Sequence, residues 1–391
     1  MTRQFRSLHL ADTDGSSLNG GGAEIIFDAT VRAARDLGHD VTVMTADPIR
    51  TPLSYVYSRR HYRSVLAILE RSRPDLVHLQ NYYHFLSPSV LAAIREYKRA
   101  HPSTRVVFTA HDFHLICPNS GFQHFVHSRP VSYDVSRPRF RWFHKFDRRS
   151  WAHSTLKLAQ HVYAYRVRHL ERVIDAIISP SELIASALRN AGVTIPVHVL
   201  RNPISVGPDK ATGPRSGLAF LGRLTPAKGL LTFAEMLERE GVSCRIDVYG
   251  DGPQRNELVD FAGRSSYVDL ALHGHVRHDG IADVLGRHTA LVYPSTWIEN
   301  APLAVVEAAA LGLSLVVPHQ GGAREMAELA EQHHFYDPAV PASAARAVRD
   351  ALATAVPNRL RDPGAFRFDT YVEGIRAVYR LGDGSTALGQ C

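Results

Sequence analysis

The chain has 391 residues, 45% hydrophobic and 21% charged, and its 45 lysines and arginines against 38 acids give a formal charge of +7. That length exceeds one ordinary core and predicts two domains, while no run approaches the roughly 18 apolar residues of a membrane-spanning helix. Three cysteines, Cys117, Cys244 and Cys391, are odd in number and far apart, which argues against a disulfide framework or a CxxC metal site.

The first strand is predicted at 8–10, followed by a loop ending in Gly20, Gly21 and Gly22 and a helix over 23–37. That helix carries Ile26, Ala29, Ala33 and Leu37 on one face and is closed by Gly38. A strand at 41–44 completes a βαβ unit. Further strands are expected at 76–79, 106–110, 176–178 and 197–200, with Ser181 as N-cap of a helix running to Leu188. Between them, residues 137–151 interleave six cations with Phe140, Trp142, Phe143, Phe146 and Trp151. This segment suits either an anionic bilayer surface or a solvated loop whose rings fold back onto their own domain.

Residues 205–216, with two prolines, two glycines and no apolar period, form the best linker. The pattern then restarts, with strands at 218–221, 246–249, 270–273, 290–293 and 314–317 and a final helix at 370–381 after Pro363-Gly364. Strands alternating with helices predict an α/β fold of parallel sheets, in which ligands bind at the loops just after the strands.

Four such loops carry unusual residues. After 218–221 comes GRLTPAKG, where Arg223 offers a planar fork of donors, Lys228 a compact charge, and the glycines close backbone approach, as a diphosphate requires. The plainer reading is a surface turn with two solvated cations. After 290–293, Glu299 lies in a loop, Pro302 is placed for the first turn of a helix, and Glu307 lies on that helix. Eight helical steps span roughly 12 Å, too far for the carboxylate pair of a hydrolase at about 5–9.5 Å but suited to the two ends of a nucleotide-sugar. The N–H groups of Asn300, Ala301 and Leu303 would face the diphosphate between them; alternatively, Glu307 is a surface carboxylate and Glu299 a capping group. His111-Asp112 follows the apolar strand 106–110. His111 can donate to a sugar hydroxyl, and Asp112 either fixes its tautomer or caps the next turn. The triple glycine opens a helix and can admit a phosphate or acceptor group, although the G-x-G-x-x-G spacing is not met.

Seven segments in order, GGGAE at 20–24, HLQNYYHFLSPSVL at 78–91, FTAHDFHLICPN at 108–119, GRLTPAKG at 222–229, YGDGP at 249–253, Glu299 with Glu307, and QGGAREM at 320–326, resemble glycosyltransferase family 4. These are retaining enzymes of the GT-B fold. The resemblance implies two Rossmann-like domains whose parallel sheets face across a cleft, an acceptor domain over 1–203 and a donor domain over 204–369, with a helix and tail over 370–391 crossing back to the first. It implies that Arg223 and Lys228, with Gly22 and the amides of Asn300, Ala301 and Leu303, hold the donor diphosphate. Glu307 would accept the ribose hydroxyls, the base would lie near Gly250, His275 and Arg277, and Glu299 and His111 would be the catalytic pair at the transferred sugar. Gly21, His84 and Asp112 would meet the acceptor. Most members read Gly-Phe-Gly after the first glutamate, where this chain has Asn300-Ala301-Pro302.

The expected activity is transfer of a hexose, with retention, from a UDP- or GDP-sugar to a glycan, lipid-linked or small-molecule acceptor in cell-surface polysaccharide or glycoconjugate synthesis. No metal or cofactor is expected. Asp12-Thr13-Asp14 matches the DxD pattern of metal-dependent transferases, but it lies in a loop ahead of the triple glycine and reads as a chance match. A nucleotide-sugar epimerase of the same architecture and a non-catalytic nucleotide-sugar-binding subunit are the alternatives. Residues 1–15 are too polar for a secretory signal, so a cytosolic protein is expected, peripheral on the inner face of the cell membrane if 137–151 meets lipid. Nucleic acid fits the charge alone, without an RNP, KH or zinc-finger pattern.

Overall fold

The computed structural model describes residues 4–13, 21–46, 51–127, 129–206, 215–354 and 356–380. The chain divides into two compact units, residues 1–203 with 367–391, and residues 204–366.

The first unit runs β1 (Arg6–Ala11), α1 (Gly22–Asp36), β2 (Asp40–Thr45), α2 (Pro52–Val56), α3 (Arg59–Ser72), β3 (Leu76–Gln80), α4 (Ser89–Ala100) and β4 (Arg105–Thr109). It continues with a hairpin of β5 (Gln123–Val126) and β6 (Arg129–Ser132), then α5 (Trp151–His161), β7 (Ala176–Ser179), α6 (Glu182–Asn190) and β8 (Val197–Val199). Its parallel sheet has the order β2-β1-β3-β4-β7-β8. Central strands such as β3 and β4 are almost fully buried, as strands covered on both faces must be. Ser181 caps α6 by accepting the N–H of Ile184 at 3.2 Å, as the sequence predicts.

The second unit runs β9 (Leu218–Leu221), α7 (Leu230–Arg239), β10 (Cys244–Tyr249), α8 (Arg255–Arg264), β11 (Val268–Gly274), α9 (Ile281–Leu285), β12 (Ala290–Val292), α10 (Leu303–Ala310), β13 (Ser314–Pro318), α11 (Gly321–Glu328), β14 (His333–Tyr336) and α12 (Pro341–Ala353). Its six strands are also parallel, in the order β11-β10-β9-β12-β13-β14. Alternate residues feed opposite faces: Leu218, Phe220, Ile246 and Val248 enter one core, and Ala219, Tyr249, Leu291 and Leu315 the other.

The last helix, α13 (Phe368–Arg380), belongs to the first unit. Its buried Tyr371, Ile375, Val378 and Tyr379 pack with Leu76, Val107 and Ile178. Two hydroxyls fasten it there: Tyr371 lies 2.7 Å from Thr30 Oγ1, and Tyr379 lies 2.7 Å from His78 Nδ1. The β5–β6 hairpin and β14 are absent from the sequence reading, because QHFV, RPVS and HHFY lack a clean alternation of apolar residues. Most of the expected linker, 207–214, and Gly20 lie outside the described residues.

Each strand order reverses once, between β1 and β3 in the first sheet and between β9 and β12 in the second. At such a switch point the loops leaving the two strands diverge to opposite faces and open a crevice at the carboxyl edge. Gly21, His84, Arg223, Lys228 and Glu299 lie in those loops, and His111, Asp112, Gly250, His275 and Arg277 follow neighbouring strands.

Candidate functional site

In the second unit the β9 loop and the β12 loop are bound to one another. Lys228 Nζ donates to Glu299 Oε1 at 2.7 Å and to the Tyr293 hydroxyl at 2.8 Å. Ser295 Oγ donates to the same Glu299 oxygen at 2.8 Å, and the Trp297 indole N–H also points at it. Lys228 and Glu299 are largely buried, with side chains 18% and 12% exposed. Burial alone pushes Lys228 down and Glu299 up, each toward its neutral form. The ammonium beside Glu299 outweighs burial and holds its carboxyl below the usual range, and the carboxylate raises Lys228 in turn. The sequence assigns Lys228 to the diphosphate and Glu299 to the transferred sugar; the structure joins the two side chains as an ion pair.

The close approach of the loops depends on glycine. Gly229 has φ +70°, and a Cβ there would lie 2.1 Å from the Pro294 carbonyl oxygen. Gly250, expected near a base, has φ +152°, and a Cβ would lie 1.9 Å from the Gly222 carbonyl oxygen. Arg223 in the same loop has an exposed side chain, as do His275 and Arg277 beyond β11.

Glu307 lies on α10, 2% exposed, among apolar residues. Its Oε1 has no hydrogen-bond partner among the described residues, and His278 Nε2 stands 3.7 Å away. Burial pushes this carboxyl up to about 7. A buried acceptor left unsatisfied costs on the order of 1–3 kcal/mol and marks a place for a donor. Pro302 occupies the N-cap position with extended ψ, rather than the first turn, and α10 begins at Leu303. Asn300 and Ala301 precede it in a half-buried loop that is pinned to α11, where Gly322 N–H donates to the Glu299 carbonyl at 2.8 Å.

In the first unit the β1 and β3 loops are joined by Asp12. Its carboxylate accepts the N–H groups of His84, Phe85 and Leu86 at 2.8, 3.0 and 2.8 Å. These bonds give Asp12 a structural task, so the metal reading of Asp12-Thr13-Asp14 loses one ligand; Asp14 lies outside the described residues. Gly21 is the N-cap of α1, Gly22 its first residue, and Glu24 accepts the Gly21 N–H at 2.8 Å. That carboxylate occupies a donor that an anion at this helix start would use. The His84 side chain is exposed.

His111 follows β4 and ends a chain of hydrogen bonds. The Thr30 hydroxyl donates to the Ile26 carbonyl at 2.7 Å, so it accepts from Tyr371 and from Gln80 Nε2 at 2.9 Å. Gln80 Oε1 is thereby turned to His111 Nε2, 2.7 Å away. An amide oxygen only accepts, so His111 carries its proton on Nε2. Burial pushes this ring down to about 4, which keeps it neutral. Asp112 accepts the His114 N–H at 2.9 Å, the turn-capping role of the two considered, and burial raises its carboxyl to about 7.

The sequence reading gives no functional role to Tyr293, Ser295, Trp297, Gln80 or His278. Trp297 and Ser295 flank Glu299 within four positions, a proximity that offered a signal. Gln80 closes a strand 31 residues before His111, and only the pairing of β3 with β4 brings them together. Among the described residues no group of three or more His, Cys, Asp and Glu is arranged to hold a metal ion.

Comparison with known proteins agrees with this architecture. Residues 20–207 match the family model described as Glycosyltransferase Family 4, and residues 212–363 the one described as Glycosyl transferases group 1. Among solved structures, Anabaena HepE in complex with UDP and glucose is 15% identical, with a TM-score of 0.57 over 97% of this chain and 95% of that one. Sucrose-phosphate synthase from Thermosynechococcus elongatus is 15% identical, with a TM-score of 0.61 over 96% and 95%. The lipopolysaccharide outer core galactosyltransferase WaaB is 14% identical, with a TM-score of 0.61 over 97% and 100%. No curated protein sequence matches the chain. The two family matches span nearly all of the two doubly wound units, and the chain belongs to the family 4-like glycosyltransferases of the GT-B fold.

Proposed function

We infer that this glycosyltransferase moves a hexosyl group, with retention of configuration, from a nucleotide-sugar to a glycan or lipid-linked acceptor in the synthesis of cell-surface polysaccharide or glycoconjugate. The observation that carries the reading is the Lys228–Glu299–Tyr293 cluster at the β9/β12 switch point. An ammonium has three donors, and Glu299 and Tyr293 take two, which leaves one for a phosphate oxygen. Three donors converge on Glu299 Oε1, so its second oxygen is the one turned to a sugar hydroxyl. The donor's ribose hydroxyls supply the partner that Glu307 Oε1 lacks. Arg223 and Lys228 stabilise the charge that grows on the departing diphosphate, a task for fixed cations. His111 stays neutral and meets the transferred sugar, and the leaving phosphate oxygen takes the acceptor's proton on the same face.

UDP is the first donor base to test, because the HepE neighbour is in complex with UDP and glucose. A thermal-shift screen of UDP-, GDP- and TDP-sugars should raise the melting temperature with one base and not the others, since a ligand stabilises by its affinity and concentration. Turnover should survive chelation of divalent cations. Absence of a shift with every nucleotide-sugar would overturn the donor assignment. Isomerisation of the donor without acceptor would favour an epimerase.

A further inference from the structure

The segment between β4 and α5 carries a feature that the transfer reaction does not use. Residues 137–149 contain six cations and a single acid, Asp147. Asp147 is buried and already neutralised, bonded to Arg149 at 2.9 Å and Lys157 at 3.1 Å. Two aromatic rings of the segment turn inward: Phe146 is fully buried, and Phe140 packs edge-on against Phe146 and His161. The backbone is pinned beside them, since the Phe146 carbonyl accepts from Asn119 at 2.8 Å and the Lys145 carbonyl accepts from Phe125 N–H at 2.8 Å. His144 is fixed by the Tyr133 hydroxyl at 2.7 Å and stacks on His124 of the hairpin.

Three large rings of the same segment point the other way. Trp142 is 58% exposed, Phe143 69% and Trp151, at the start of α5, 60%. Helix α2 packs against α5 and adds Leu53, the most exposed large apolar side chain among the described residues. The sequence left two outcomes open for these aromatics, and the fold divides them: Phe140 and Phe146 serve the unit's own core, while Trp142, Phe143 and Trp151 do not. Trp142 touches Phe140 and Phe143 meets His144 edge-on, yet all three residues stay more than half exposed, and their concentration in one segment calls for a partner. Exposed Arg137, Arg139, Arg141 and Arg148 accompany them, so the partner presents apolar volume beneath a negative surface.

We propose that this segment is a membrane-docking surface, in which Trp142, Phe143 and Trp151 enter the interface of an anionic bilayer and the arginines meet its headgroups. Indole rings favour the headgroup level, where one edge is apolar and the other wet. Each cation near such a surface strengthens binding by about fivefold. No helix among the described residues is long and apolar enough to cross a membrane, so the contact is peripheral.

The full chain is tested by co-sedimentation with vesicles of equimolar phosphatidylglycerol and phosphatidylcholine, and with phosphatidylcholine alone. Binding to the anionic vesicles, weakened by salt, is expected. The triple variant W142A/F143A/W151A should lower partitioning by about tenfold or more, and R137Q/R139Q/R141Q by about a hundredfold, each without change in melting temperature or in nucleotide-sugar binding. Because the chain has three tryptophans, W142F/W151F leaves Trp297 alone, and quenching of fluorescence by brominated lipid should disappear in it. Binding that survives loss of the rings, equal binding to neutral vesicles, or failure to bind at low salt would overturn the proposal. So would quenching that persists in W142F/W151F.

Discussion

Lys228 and Arg223 share a loop and a charge but differ in burial, and this difference separates structure from binding at the scale of one residue. Lys228→Ala leaves the Glu299 carboxylate buried beside Ser295 and Trp297 without its cation. The expected cost is about 3 kcal/mol of stability, together with a loss of about 10²- to 10³-fold in turnover. Arg223→Ala removes an exposed side chain, so stability should stay within about 0.5 kcal/mol while donor affinity falls. Calorimetric binding and thermal unfolding of both variants check this contrast. Glu307 permits a pH test. Its folded pKa of about 7 lies above the ordinary carboxyl value, so the unfolded chain ionises first as pH rises, and stability falls between about pH 4.5 and 7 before levelling off. Glu307→Gln should flatten that slope and gain up to about 3 kcal/mol at neutral pH, whereas donor binding should weaken. Chemical denaturation across this range measures it; an unchanged slope would show that Glu307 does not titrate there.

At the scale of the element, the attachment of α13 to the first unit rests on four buried side chains and two hydroxyls. The hydroxyls are not equivalent. Thr30 Oγ1 keeps its bonds to Ile26 and Gln80 when Tyr371 becomes Phe, so that change should cost about 1 kcal/mol. Tyr379→Phe strands Nδ1 of the fully buried His78, whose other nitrogen is held by Thr109 at 2.7 Å, and should cost about 1–3 kcal/mol. Denaturant midpoints of the two variants rank them. Tyr371→Phe also removes the outer end of the Tyr371–Thr30–Gln80 chain that orients His111, yet the Nε2–H tautomer should persist because Gln80 Oε1 stays in place; Gln80→Leu should release it. Nitrogen-15 spectra of the histidine rings distinguish the two outcomes.

For the molecule as a whole, the two units differ in how acid attacks them. Fully or nearly buried neutral imidazoles concentrate in the first unit, at His9, His78, His114 and His161. Burial pushes His9 and His161 to about 3 and the other two well below the ordinary value. A lowered histidine pKa contributes stability above about pH 6.5 that is lost as pH falls, because the unfolded state takes up the protons first. Each such group steepens the loss by about 1.4 kcal/mol per pH unit. The first unit should therefore open before the second on acidification, read by hydrogen exchange in peptides from β1, β3 and α5 against those from β9, β12 and β13. Simultaneous opening would refute this order.

Much of this protein is decided along the chain itself. Runs of Val, Ile and Leu set the central strands, helical periods set the layers that cover them, and Ser181 and Gly38 mark helix ends through local backbone chemistry. The loops after β9, β12 and β4 could be singled out before any fold was known, because they follow predicted strands, where an α/β sheet binds ligands, and carry paired charges, glycines or a histidine there. What the chain order does not contain is distance between remote segments. Lys228 meets Glu299 across 71 residues, Tyr371 reaches Thr30 across 341, and Trp142 is left outside while Phe146 is buried. These outcomes follow from strand order at the two switch points and from which ring the packed backbone turns inward. Local propensity acts within a few residues, whereas burial and pairing are settled only when parallel strands close the sheet, and there the ionisation of Glu299 and Glu307 is decided as well.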